Sequence, residues 1–215
     1  MRSAEQVSEV FSRRPKRADA RRNYETLISA AREAFAEDGV SASLEDIARR
    51  AHVGIGTLYR HFPTRQDLFE SVYVDEVEAL CRTAGDLADQ PPWDALAGWL
   101  HRFVRYTATK RALAEALNRD SELFRTCRTE VHAAGEPLLR RAQRAGTART
   151  DASFDDVMHL VGGITMIHFA EPGQLERVVG MALNGLRPQP PSSDQESRAA
   201  SSVASVSSAT SVVSR

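Results

Sequence analysis

Residues 43–62 read Ser43-Leu44-Glu45-Asp46-Ile47-Ala48-Arg49-Arg50-Ala51-His52-Val53-Gly54-Ile55-Gly56-Thr57-Leu58-Tyr59-Arg60-His61-Phe62, and this stretch decides the fold. Leu44, Ile47, Ala48 and Ala51 recur at three- and four-residue spacing, which predicts a short helix with one buried stripe. Ser43 stands where an N-cap belongs, and Asp46 three residues on predicts a capping box. His52-Val53-Gly54 predicts a tight turn, with Gly54 as the residue free to take a positive φ. Leu58 and Phe62 anchor a second short helix that Pro63 stops. With those two side chains fixed inward, Ile55, Gly56, Thr57, Tyr59, Arg60 and His61 take the remaining faces. A face that starts small and continues with hydrogen-bond donors suits a helix entering a DNA major groove.

The pattern on either side is helical as well. Upstream, Tyr24, Leu27, Ile28, Ala31, Ala34 and Phe35 repeat at helical spacing, and Gly39 follows at a C-terminal position. Downstream, Thr64 and Asp67 cap a helix carrying Leu68, Phe69, Val72, Val77 and Leu80. Residues 92–186 lack strand-like alternation. Pro91-Pro92 precedes a helix over Trp93–Lys110, and Ser153 with Asp156 caps another over Val157–Phe169. Pro172-Gly173 breaks the chain before a last helix over Leu175–Leu186, and residues 111–146 are helical with internal breaks left open. The start, with Arg13, Arg14, Lys16 and Arg17, predicts a flexible basic arm over residues 1–19. The serine- and proline-rich end predicts a disordered tail over residues 188–215. The expected fold is therefore all-α: a three-helix DNA-binding domain with a helix-turn-helix over residues 20–80, then a larger helical domain over residues 85–187.

Charge follows the same division. Residues 1–65 carry 12 Lys+Arg against 9 Asp+Glu, whereas residues 66–186 carry 13 against 18. A basic front on an acidic body is the asymmetry of a protein that meets phosphate, although a difference this small decides nothing alone. No apolar run reaches the roughly 18 residues of a membrane span, and the first residues lack a secretory apolar core, so no membrane partner and a cytoplasmic location are expected. Cys81 and Cys127 are too few for a disulfide scaffold and read as inert reduced thiols. The six histidines form no pair at i,i+3 or i,i+4, so neither a metal site nor a cofactor is expected. No nucleophile–base constellation accompanies them, so the chain does not read as an enzyme.

The run Leu58-Tyr59-Arg60-His61-Phe62 closely resembles the end of the helix-turn-helix of the TetR family of bacterial regulators. The likeness extends upstream through Ala30-Ala31-Arg32-Glu33-Ala34-Phe35-Ala36-Glu37-Asp38-Gly39-Val40 and downstream through Pro63-Thr64-Arg65-Gln66-Asp67-Leu68-Phe69. The resemblance implies that Tyr59 and His61 hold the DNA backbone, that Ser43 adds a phosphate contact to its capping role, and that Arg65 neutralises phosphate. Base reading falls to Ile55, Gly56, Thr57 and Arg60. It further implies a homodimer on double-stranded, pseudo-palindromic operator DNA that represses transcription until an unidentified small-molecule effector releases it.

Trp99, Phe103, Phe124, Met158, His159 and Met166 are the candidate effector-pocket residues, with ordinary core as the alternative for each. The last two helices, with Gly162-Gly163 permitting close approach, form the expected dimer face; packing within one subunit is the alternative. Two other classes stay open: an enzyme retaining a helical DNA-binding front, and a small-molecule carrier that has lost DNA binding.

Overall fold

The computed structural model describes residues 15, 17–112 and 121–188. Among them are eight α-helices, one 3-10 turn and no strand: α1 Ala18–Asp38, the 3-10 turn Gly39–Ser41, α2 Leu44–Arg50, α3 Ile55–His61, α4 Arg65–Asp86, α5 Pro92–Ala112, α6 Glu122–Arg144, α7 Phe154–Thr165 and α8 Gln174–Gly185. The expected basic arm at residues 1–14 and 16 and the expected tail at residues 189–215 lie outside the described residues.

The first three helices bury one small core. Leu27, Ala31, Phe35, Ile47, Leu58 and Phe62 are all within 1% of full burial, so short helices that would not persist alone are held by a shared apolar face. Gly39 closes α1 with φ 59°, the left-handed value that a terminal glycine adopts without strain. The Thr64 capping box is complete: its hydroxyl oxygen accepts from the Asp67 amide at 3.1 Å, and the Asp67 carboxylate accepts from the Thr64 amide at 3.0 Å. Ser153 and Asp156 form the same reciprocal pair ahead of α7.

Helix α4 connects the front end to the larger helical body. Its Phe69 ring lies 4.7 Å from Phe35 of α1. Further along, Tyr73 bonds Tyr106 of α5 hydroxyl to hydroxyl at 2.9 Å, and the Leu80 carbonyl accepts from the indole N–H of Trp99 at 3.1 Å. Charge crosses the same boundary. The carboxylate of Glu76, 3% exposed, ion-pairs with Arg32 of α1 and lies 3.7 Å from Arg102 of α5. Arg32 also meets Asp75 at 2.8 Å. Removing one partner of such a buried group strands its charge, at a cost of about 3–5 kcal/mol.

One boundary differs from the sequence reading. Helix α7 stops at Thr165 instead of running to Phe169. The Thr165 hydroxyl donates back to the Gly162 carbonyl at 2.7 Å, and the amides of Met166 and Ile167 bond three residues back, tightening and ending the last turn. The apolar period that continued through Met166 and Ile167 marks exposed side chains. The region whose breaks were open contains α6, which begins at Glu122 under a Ser121 cap.

The body is closed around Gly135 of α6, where Trp99 of α5 and Phe154 of α7 converge. A Cβ at this position would lie 2.5 Å from Phe154 Cζ and 2.7 Å from Trp99 Cζ3. Both rings are buried, so neither can swing away. Gly135→Ala is expected to destabilise the protein by about 1–3 kcal/mol through overpacking, read as a lower Tm, whereas Gly85→Ala in α4, with open space at its Cβ, leaves the Tm unchanged or raised.

Candidate nucleic-acid interface

Helix α2 begins at Ser43, whose Oγ accepts the Asp46 amide at 3.3 Å. The reciprocal half of the expected capping box is replaced. The Asp46 carboxylate pairs with Arg49 and, at 2.6 Å, with Arg50 Nε, while the Ser43 hydroxyl donates to Glu45 at 3.0 Å. Arg50 also reaches Glu37 of α1 at 2.8 Å, so it braces two helices.

The turn between α2 and α3 corrects the sequence reading of Gly54. Positive φ occurs at His52, 55°, while Gly54 is extended at φ −70°, ψ 147°. Ala51 caps α2, the His52 amide bonds the Arg49 carbonyl at 3.1 Å, and the Val53 amide bonds the Ala48 carbonyl at 3.0 Å. These two bonds make a Schellman motif, which puts the left-handed residue immediately after the cap. Gly54 instead becomes the N-cap of α3, and a Cβ there would meet nothing within 4 Å.

On α3, residues advance by about 100° around the axis. Leu58 and the following Phe62 are fully buried, which turns Gly56 and Arg60 outward. Ile55, 37% exposed, and Tyr59, 45% exposed, share one flank. Half-buried Thr57 and His61 share the other. His61 packs edge-on against Tyr24 of α1 at 6.2 Å, and Tyr24 also meets Phe62 at 5.3 Å. Burial, with a smaller effect from the Arg60 charge, lowers the His61 pKa, so the ring is a neutral hydrogen-bond donor at neutral pH.

Arg65 is partly engaged inside the protein. Its Nη1 donates to the carbonyls of Val40 at 2.9 Å and Ala42 at 2.7 Å, and its guanidinium lies 5.9 Å from the Phe69 ring centre. It thereby ties the first turn of α4 to the segment that leads into Ser43. Seven expected DNA residues therefore lie on α2, α3 or their caps, and the eighth, Arg65, stands at the adjoining start of α4.

The second group of expected site residues borders a cavity of about 500 Å³ in the helical body. Phe103, Phe124, Met158, His159 and Met166 line it. Trp99 does not; it is fully buried behind Phe103, stacked on that ring at 5.9 Å. Sequence reasoning missed Tyr73 and Tyr106, which also line the cavity. Nothing local along the chain marks either ring as facing a void. Cys81 is half-buried, and burial together with Glu130 and Glu78 pushes its thiol up to about 11. It is therefore a poor nucleophile. No cluster suited to a metal ion occurs among the described residues, and none of their helices is long and apolar enough to cross a membrane.

Two measurements test this arrangement. Because the folded-state pKa of His61 is depressed, its neutral ring contributes stability above the ordinary value of 6.5, lost as pH falls toward the folded value. The Tm is therefore expected to fall more steeply on acidification in the parent than in His61→Gln. Arg65→Ala removes two charge-assisted bonds and is expected to cost about 1–3 kcal/mol in denaturant unfolding, with Arg65→Lys recovering part of the loss.

Comparison with known proteins matches two regions of the chain. Residues 27–72 match a family described as bacterial regulatory proteins, tetR family, and residues 91–188 match the transcriptional regulator SbtR-like C-terminal domain. The crystal structure of a TetR transcriptional regulator from Streptomyces coelicolor is 37% identical, with TM-score 0.69, over 77% of this chain and 99% of that one. A TetR transcription regulatory protein from Mycobacterium vanbaalenii is 35% identical, with TM-score 0.66, over 81% of this chain and 100% of that one. An HTH-type transcriptional regulator of Staphylococcus aureus is 31% identical over 85 residues, which cover 38% of this chain and 44% of that relative. The helix-turn-helix, the all-helical body and these matches agree: the chain belongs to the TetR family of bacterial transcriptional regulators.

Proposed function

We propose that this regulator is a homodimeric repressor that grips a pseudo-palindromic operator through α3 and is released when a small molecule enters the helical body. The observation that carries the reading is the outward face of α3. A helix anchored by Leu58 and Phe62 presents Gly56 and Arg60 at its crest and Ile55 and Tyr59 on one flank. Ile55 and Tyr59 thus stand beside Gly56 and Arg60, so apolar surface, a close-approach point and hydrogen-bond donors share one outward face.

In this reading residues 20–80 form the DNA-binding unit and residues 85–187 the effector and dimerisation unit. Ile55 packs on a thymine methyl, while Gly56, Thr57 and Arg60 meet base edges. Tyr59 and neutral His61 donate to the sugar–phosphate backbone, and Ser43 adds a contact at the start of α2. Arg65 spends one guanidinium nitrogen on the Val40 and Ala42 carbonyls, leaving donors of its fork for a phosphate. The protein acts in the cytoplasm, where operator DNA is available.

The dimer face lies on α7 and α8. Leu160, Met166, Ile167 and Met181 are 44–69% exposed, and Gly162 and Gly163 leave open space beside them. A second copy covering this face relates two recognition helices by two-fold symmetry, as a palindromic site requires. Release follows if the effector binds more tightly to the conformation whose recognition helices are misplaced. A 100-fold loss of operator affinity needs about 2.7 kcal/mol of such coupling.

In vitro selection of bound DNA, followed by salt-dependent gel shifts, tests the reading. A two-fold symmetric site is expected, bound by a species that sediments as a dimer. Tyr59→Ala is expected to weaken all sequences alike, and Arg65→Ala to do so with the salt slope reduced by about one. Ile55→Ala and Thr57→Ala are expected to change preference at single positions by about 1–3 kcal/mol. A selection that yields no preferred sequence, or equal effects of both groups of variants on every sequence, overturns the proposal.

A further inference from the structure

Two phenols in the wall of the helical-body cavity hold one proton more than their shared bond uses. Tyr73 of α4 and Tyr106 of α5, 1% and 3% exposed, are bonded hydroxyl to hydroxyl at 2.9 Å. Two phenols carry two O–H protons, and whichever ring donates, one proton is left over. Among the described residues, each phenol's only hydrogen bond is to the other. Burial raises both phenol pKa values, so both protons are kept throughout the physiological range.

The cavity that both rings line has a volume of about 500 Å³, which suits a small organic ligand. Its walls around the phenols are aromatic. Phe124 stacks on Tyr73 at 5.1 Å with the rings only 4° from parallel, and Phe103 lies 5.7 Å from Tyr106. Met158 adds an adaptable apolar side chain. Walls of this kind accept a flat apolar body. Solvent in such a cavity can meet the spare proton, but an apolar ligand displaces that solvent. Unless the ligand brings an acceptor of its own, it strands a buried donor and loses affinity. A neutral phenol offers only a single bond in return, too little to repay the desolvation of an ionised group. The matching acceptor is therefore an uncharged oxygen.

We propose that the cavity takes a flat, largely apolar molecule bearing an uncharged acceptor oxygen, a carbonyl or an ether. That oxygen accepts the spare proton of the Tyr73–Tyr106 pair, and the rest of the molecule lies against Phe103, Phe124 and Met158. The proposal rests on the reading of the helical body as the effector unit and names the chemistry of that effector. It also puts the ligand in contact with α4, because Tyr73 lies eight residues after Arg65 on the same helix.

Three probes on one flat skeleton test the class with the full chain. The ketone 2-acetylnaphthalene presents a carbonyl, 2-isopropenylnaphthalene replaces that oxygen by a methylene of nearly the same shape, and 2-naphthoate carries a charged acceptor. Calorimetry gives their affinities, and difference infrared spectroscopy of the ketone, isotope-labelled at its carbonyl carbon, reads the hydrogen bond directly. The ketone is expected to bind about tenfold more tightly than either other probe, with its carbonyl stretch lowered from the position it takes in a hydrocarbon solvent. In Tyr73→Phe/Tyr106→Phe the ketone is expected to lose about tenfold and its stretch to return to the hydrocarbon position. The isopropenyl analogue is expected to keep its affinity there, which shows that the cavity is intact. Should the double variant fail to fold, the ranking of the probes and the stretch in the parent protein still decide the matter. Equal or tighter binding of the isopropenyl analogue or the naphthoate, a carbonyl stretch at the hydrocarbon position in the parent, a stretch unchanged by the double substitution, or no binding of the ketone up to its solubility limit overturns the proposal. Operator binding without probe, measured separately, tells this failure from failure of the regulator reading.

Discussion

The organisation of this protein depends on one constraint: α4 must satisfy two cores at once. At about 1.5 Å per residue its 22 residues span about 33 Å, enough to begin beside the recognition helix and end beneath Trp99. Phe69 belongs to the core that positions α3, whereas Tyr73, Val77 and Leu80 belong to the body. A rigid element shared in this way cannot shift at one end without disturbing the other. The Glu76 carboxylate strengthens the constraint, because its positive partners come from both sides of α4.

The same constraint relates the cavity to α3. Tyr73 is both a cavity wall and a residue of α4, and Arg65 joins the first turn of α4 to the carbonyls just ahead of α2. The path between the two regions is therefore a single helix with a hydrogen-bonded foot. A ligand with different affinity for two positions of that helix would shift the balance between them.

Much of the fold was legible because its signals are local. The stripes of α1 to α4, the Thr64 and Ser153 capping boxes and the stop at Gly39 depend on residues within a turn or two of one another. Errors arose where a local rule had two solutions. The turn after α2 needed one left-handed residue, and glycine was the natural expectation; the Schellman bonds placed it at His52. The apolar period past Thr165 read as a longer helix, since periodicity does not separate a buried stripe from an exposed patch. The exposed face of α3 was legible from the anchors Leu58 and Phe62. The cavity was only half legible. Which inward-facing aromatic fills the core and which borders a void depends on packing between α4, α5, α6 and α7, so Trp99 and Tyr106 could not be told apart along the chain.

The charges on Glu76 bear on how such regulators are recombined. A chimera that fuses another reader's α1 to α3 onto this body replaces Arg32, and unless the incoming helix supplies a cation at that position, the graft leaves a desolvated carboxylate paired only with Arg102. The natural junction for a modular sensor thus lies not in the loop before α4 but in a matched set of side chains. Arg32, Asp75, Glu76 and Arg102 have to be transplanted, or redesigned to neutral residues, as a unit.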